Sequence, residues 1–101
     1  MNNPIPSPDA CRTMIDVRAG VDQVDRELIA LLERRFGYMR AAARIKTDRG
    51  AVRDEARKAQ VIANARAAAE AAGLPADAVA ALWNDLVEAS IAYEYEAFDR
   101  G

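Results

Sequence analysis

Several polar side chains stand where a helical reading asks for apolar ones: the cations Arg18, Arg35, Lys46 and Arg57, and further on Ser90 and Glu94. In "LLERRFGYMRAAARIK", residues 31–46, Arg35 continues the series Leu28, Leu31 and Lys46 continues Met39, Ala42, so both cations fall in the apolar sector of one helix. Ser90 and Glu94 are four positions apart, which puts them side by side on a helix face. Arg57 lies one turn ahead of Val61, on the side expected to pack, and Arg18 sits at the margin of its stripe, within reach of a neighbouring chain. A single residue of this kind is ordinarily a snorkelling side chain, its methylenes covered and its head in water. A set is costlier, because each buried unpaired cation costs several kcal/mol against a total stability of about 5–15 kcal/mol. Glu94 is the only acidic residue clearly on the inner line, so the counter-charge is expected from a ligand: a small dianion held between Arg18, Arg35, Lys46 and Arg57. At an effective dielectric of about 20, each cation–carboxylate contact near 4 Å is worth roughly 4 kcal/mol before desolvation, and Arg can grip a carboxylate through two parallel bonds.

Helices must carry these residues. No proline occurs between Thr13 and Arg49, and apolar residues return at Met14, Val17, Val21, Val24, Leu28, Leu31, Met39 and Ala42, which predicts one long first helix over that span. Gly50 is a stop signal, and Asp54 an N-cap for a second, Ala-rich helix through "EARKAQVIANARAAAEAA" that ends at Gly73. Pro75 suits the first turn of a third helix, whose inner face reads Val79, Leu82, Trp83, Leu86, Ser90, Tyr93, Glu94 and Ala97. Residues 1–8, with prolines at 4, 6 and 8, read as an extended arm, and residues 9–101 as the helical domain. The expected fold is all-α, a three-helix protomer with a long first helix. Helices of roughly 28 and 38 Å cannot cover a stripe of roughly 55 Å, so a second copy of the chain is expected to complete the core as an intertwined homodimer.

Composition narrows the chemistry. A chain of 101 residues, 51% hydrophobic, fits one small domain. Fourteen Lys and Arg against sixteen Asp and Glu leave a net charge of −2, so no basic field is offered to nucleic acid or an anionic membrane, and neither is expected as a partner. With no His and one cysteine, Cys11, a metal site, His acid–base chemistry and a Cys–His nucleophile are all disfavoured, and an internal disulfide is impossible. The absence of a charged-then-apolar leader or an apolar run of membrane length makes the cytoplasm the expected location. Chemistry is left to Arg, Lys, carboxylates and hydroxyls.

Arg18, the run "DRELIALLERR" ending at Arg35, Lys46, "VRD" at 52–54, Arg57, Ser90 and Glu94 together resemble the all-helical AroQ-type chorismate mutases and their relatives, the isochorismate-pyruvate lyases. The resemblance covers nearly the whole chain after the arm. It implies an intertwined dimer with two equivalent sites, no cofactor, and the rearrangement of chorismate, a cyclic dicarboxylate, to prephenate. It further implies that Arg18 reaches one substrate carboxylate from the partner chain and that Arg35 grips a carboxylate within its own protomer. Lys46 would contact the ether oxygen of the breaking bond, and Glu94 would give that oxygen a second hydrogen bond where many relatives use Gln. Asp54, through its backbone, and Arg57 would line the far end of the pocket, and Ser90 would bond a carboxylate. Glu94 can donate only when protonated, so activity is expected to decline as pH rises.

One departure bears on the substrate. Mutases of this type have Glu directly after the arginine matching Arg57, to accept a bond from the ring hydroxyl; here that residue is Lys58. The alternative is therefore the lyase reaction, release of pyruvate from isochorismate to leave salicylate. A non-catalytic helical dimerisation module, its inward cations paired with another protein's acids, is the reading from a different class.

Overall fold

The structure is a computed structural model in which residues 5–101 are described. Three α-helices make up the described chain: α1 (Met14–Ile45), α2 (Glu55–Ala71) and α3 (Ala76–Arg100). Short 3-10 turns at Pro8–Ala10 and Arg49–Ala51 precede α1 and α2, and no strand occurs among the described residues. None of these helices is long and apolar enough to cross a membrane.

Each helix boundary has a local cause. Before α1, the Thr13 hydroxyl accepts from the Asp16 amide at 3.2 Å, while the Asp16 carboxylate accepts from the Arg12 amide at 3.0 Å, so side chains satisfy amides that the first turn leaves without carbonyl partners. α1 stops at Ile45, four residues short of the expected Arg49. The Asp48 side chain accepts from the Gly50 amide at 3.1 Å and starts the 3-10 turn, which gives the backbone a local alternative to helix. Asp54 caps α2 as expected, its Oδ1 accepting from the Arg57 amide at 3.0 Å. Gly73, at φ 73°, makes the left-handed exit that a side chain would strain. Pro75 then stands just before α3, where a missing N–H costs nothing.

The chain divides into two compact units, one reaching Arg35 and the other Phe36–Gly101. In the first, Met14, Val17, Val21, Val24, Leu28 and Leu31 of the α1 stripe are all exposed, by 37% to 59%. Of the arm read as residues 1–8, residues 1–4 lie outside the described residues; Ile5 approaches Gly20, its Cγ2 3.8 Å from where a Cβ would stand.

In the second unit, α2 packs on α3 around Val52, Val87 and Ile91, with Val61, Tyr95 and Phe98 against them. The buried residues of α3 are Ala80, Val87, Ser90, Ile91 and Glu94, whereas Leu82 is 63% exposed. The buried sector is thus rotated roughly 75° from the one expected for the third helix. The reason lies in α2: its packing line, Val61, Ala65 and Ala69, is made of small residues that admit Val and Ala from α3 at close range, so the bulkier Leu82 and Leu86 need not face it.

Candidate functional site

Lys46 and Glu94 form the centre of the second unit's polar chemistry. Lys46 follows the last residue of α1, and its amide still donates to the Ala42 carbonyl at 2.9 Å, so the helix sets the direction of the side chain. Its Nζ lies 2.6 Å from Glu94 Oε2, with 6% of the Glu94 side chain and 29% of the Lys46 side chain exposed. The counter-charge expected from a ligand is, for Lys46, supplied by Glu94, the acid already identified on the inner line. Spacing along one helix cannot reveal a pair made across two.

Ser90 is buried one turn before Glu94 on α3, as the four-residue spacing requires, and its hydroxyl donates to the Leu86 carbonyl at 2.7 Å. Two clusters of contacts flank this region. The Phe36 and Tyr93 rings meet edge to face at 4.9 Å and 74°, and Arg40 donates to the Tyr93 hydroxyl at 2.7 Å. Beyond α1, Arg49 holds Asp99 through two hydrogen bonds of 2.9 and 3.2 Å and lies 4.4 Å from the centre of the Tyr95 ring. The Arg49 hydrogen bond and charge keep the Asp99 carboxyl below its ordinary range, with desolvation opposing.

Arg57 departs from the expected packed position: it is exposed, and its guanidinium donates to Gln60 Oε1 at 2.8 Å. Lys58, one residue on, occupies the line of Val61, Ala65 and Ala69, which turns Arg57 about 100° away from it. Lys58 Nζ reaches Glu88 Oε2 at 2.6 Å, and Arg53 grips the same carboxylate at 2.8 and 3.1 Å while also bonding Glu55 at 2.9 Å. Hydrogen bonds from Arg53 first and Lys58 second hold the Glu88 carboxyl down to about 2. The same contacts, from Glu88 and then Glu55, raise the Arg53 guanidinium. This network escaped sequence reasoning, since Arg53 and Glu88 lie 35 positions apart on different elements. The available signal was Lys58 itself, a cation on the packed line of α2.

Arg18 is exposed in the second turn of α1, and Arg35, at the end of the first unit, is half-buried. The second unit brings together Lys46, Ser90 and Glu94, with Asp54 at the N-terminus of α2 and Arg57 on its first turn. An ammonium against a carboxylate, both largely shielded from water, offers one strong fixed donor and a second group that donates when it carries a proton.

The family described as chorismate mutase type II matches residues 17–95, a span that includes every candidate residue from Arg18 to Glu94. The chain belongs to this family. The three-helix, strand-free architecture of the described residues is consistent with that membership. Among curated proteins, the isochorismate pyruvate lyase of Pseudomonas aeruginosa is 30% identical over 86 residues, which cover 85% of each chain. The chain thus belongs to a family described by one reaction and is similar to a protein named for another.

Proposed function

We propose that the chain is a cofactor-free chorismate mutase that works as a homodimer on chorismate, a small dicarboxylate. The observation that carries this reading is the shielded Lys46–Glu94 pair at 2.6 Å. In the rearrangement to prephenate a C–O bond breaks as a C–C bond forms, within one molecule, so neither a nucleophile nor a metal is required. Negative charge grows on the ether oxygen as that bond stretches, and a preoriented Lys46 ammonium stabilises it with little reorganisation. Glu94, once protonated, supplies the second hydrogen bond to that oxygen. Arg35 and the partner's Arg18 take the carboxylates, Ser90 bonds a carboxylate, and Asp54 and Arg57 border the ring; together they hold the compact conformer in which the reacting carbons meet.

The dimer in this proposal rests on the exposed α1 stripe, Met14 to Leu31, which a second copy would cover. A cytoplasmic setting accords with a chain whose single cysteine makes no internal disulfide.

A second reading is isochorismate-pyruvate lyase activity, favoured by Lys58. Where a mutase of this type would hold a ring hydroxyl with Glu, this chain has an ammonium already engaged by Glu88 at 2.6 Å. The named lyase among its relatives points the same way. The experiment is to give the purified protein chorismate and isochorismate in turn and to identify products. Prephenate from chorismate supports the first reading, pyruvate and salicylate from isochorismate the second, and inertness toward both removes each of them and leaves a dimerisation module.

A further inference from the structure

We propose that the cleft between the end of α1 and the end of α3 is a second anion site, built for a small aromatic carboxylate. The cleft has a volume of about 640 Å³ and belongs entirely to the unit Phe36–Gly101. That volume falls in the range of small-molecule pockets. Its walls carry Arg40, Arg44, Lys46 and Arg100, and the acidic side chain among them is Glu96.

The charge balance of these walls is uneven. Lys46 is neutralised by Glu94, which leaves three guanidinium groups facing the Glu96 side chain and the terminal carboxylate of Gly101, a local surplus of one positive charge in a chain whose net charge is −2. Arg40 is held by a neutral partner, the Tyr93 hydroxyl at 2.7 Å, so its orientation is fixed while its charge stays uncompensated. Among the described residues, the Arg44 and Arg100 side chains make no hydrogen bond or ion pair. Both lie in the last turn of a helix, where the macrodipole welcomes a cation, and that accounts for them one at a time. It does not account for Arg40, nor for the apolar surface between the arginines.

That surface sets the ligand class. Tyr93 and Phe98 supply aromatic faces and Ala43 and Ala97 leave room beside them, so a flat ring has a place to stack while its carboxylate meets a guanidinium fork. Inorganic phosphate would meet the same charges and gain nothing from the rings. Ser90, Glu94, Arg35 and Arg57 are not part of these walls, so the cleft is separate from the proposed catalytic set except at Lys46.

The test is titration of the full-length, isotope-labelled protein with benzoate, followed by two-dimensional NMR, in parallel with cyclohexanecarboxylate and inorganic phosphate. Benzoate is expected to shift the amides of Ala43, Ala97 and Gly101 saturably, to bind more tightly than either comparison anion, and to weaken as salt is added. Replacing both Arg44→Ala and Arg100→Ala is expected to weaken it by about tenfold while circular dichroism stays unchanged. Shifts confined to the surroundings of Ser90 and Glu94, or unchanged affinity in the double variant, would overturn the site. Phosphate binding as tightly as benzoate would overturn its aromatic character.

Discussion

Lys46 Nζ stands 2.6 Å from Glu94 Oε2, tying the residue just past α1 to the sixth turn of a helix that begins 30 positions later, with the carboxylate side chain only 6% exposed. In this arrangement Glu94 is an acceptor. To donate to a substrate oxygen it must carry a proton. The expected result is a kcat/KM that falls as pH rises, and a profile flattened by Glu94→Gln, whose amide donates at every pH. Rates measured from about pH 5 to 9 check this, and identical curves for the two proteins would exclude Glu94 as the donor.

Removing the other partner separates catalysis from stability. Lys46→Ala takes away the charge proposed at the ether oxygen and should lower kcat by at least about 100-fold. It also leaves a buried carboxylate unpaired, which costs about 1–3 kcal/mol. Adding Glu94→Gln to Lys46→Ala should restore much of the stability and none of the rate. Urea melts beside turnover measurements test this; a Lys46→Ala enzyme with native kcat would reject its role.

The Glu88 network predicts a pH effect on folding. The Glu88 carboxyl sits at about 2 in the folded chain against an ordinary value of 4.5, so between these limits the unfolded chain binds the proton and the folded one does not. Stability contributed by the Arg53 and Lys58 contacts is therefore complete above the ordinary carboxyl range and is lost as pH falls through about 2. Solvent screening keeps it small, since about 39% of the Glu88 side chain is exposed. Across that window the native protein should lose more stability than Glu88→Gln. Urea midpoints at successive pH values give the comparison, and parallel lines for both proteins would show that the contacts add nothing.

Helix periodicity and punctuation made much of the architecture legible in the sequence. Asp54 and Gly73 mark the limits of α2 to within a residue or two, because a cap and a left-handed exit depend on local chemistry alone. The end of α1 was misjudged because the Asp48 turn competes with the helix, and a search for periodic apolar residues does not see such competition. Ser90 and Glu94 were found because their relation is internal to one helix. The family resemblance sets Lys46 and Glu94 at one substrate oxygen, but their direct ion pair, and the grip of Arg53 and Lys58 on Glu88, depend on how helices pack and are not legible in spacing. The exposed Arg57 follows from the same cause: a line of Ala residues on α2 gives weak direction, and Lys58 took the inner position.

The shared-site proposal makes a quantitative prediction about mixtures. If Arg18 serves the partner's site, an Arg18→Ala chain lacks what it lends and a Lys46→Ala chain lacks what it owns. Each variant alone should be nearly inactive. In a dimer of one of each, the site built on the Arg18→Ala chain receives Arg18 from its partner and keeps its own Lys46, so one of the two sites is intact. Random exchange makes half of the dimers mixed, and activity should return to about a quarter of the native value. Unfolding and refolding the two variants together, then measuring turnover and sedimentation, performs the test. Dimers that form and stay inactive would place Arg18 outside the partner's site, and a monomer at micromolar concentration would remove the shared site altogether.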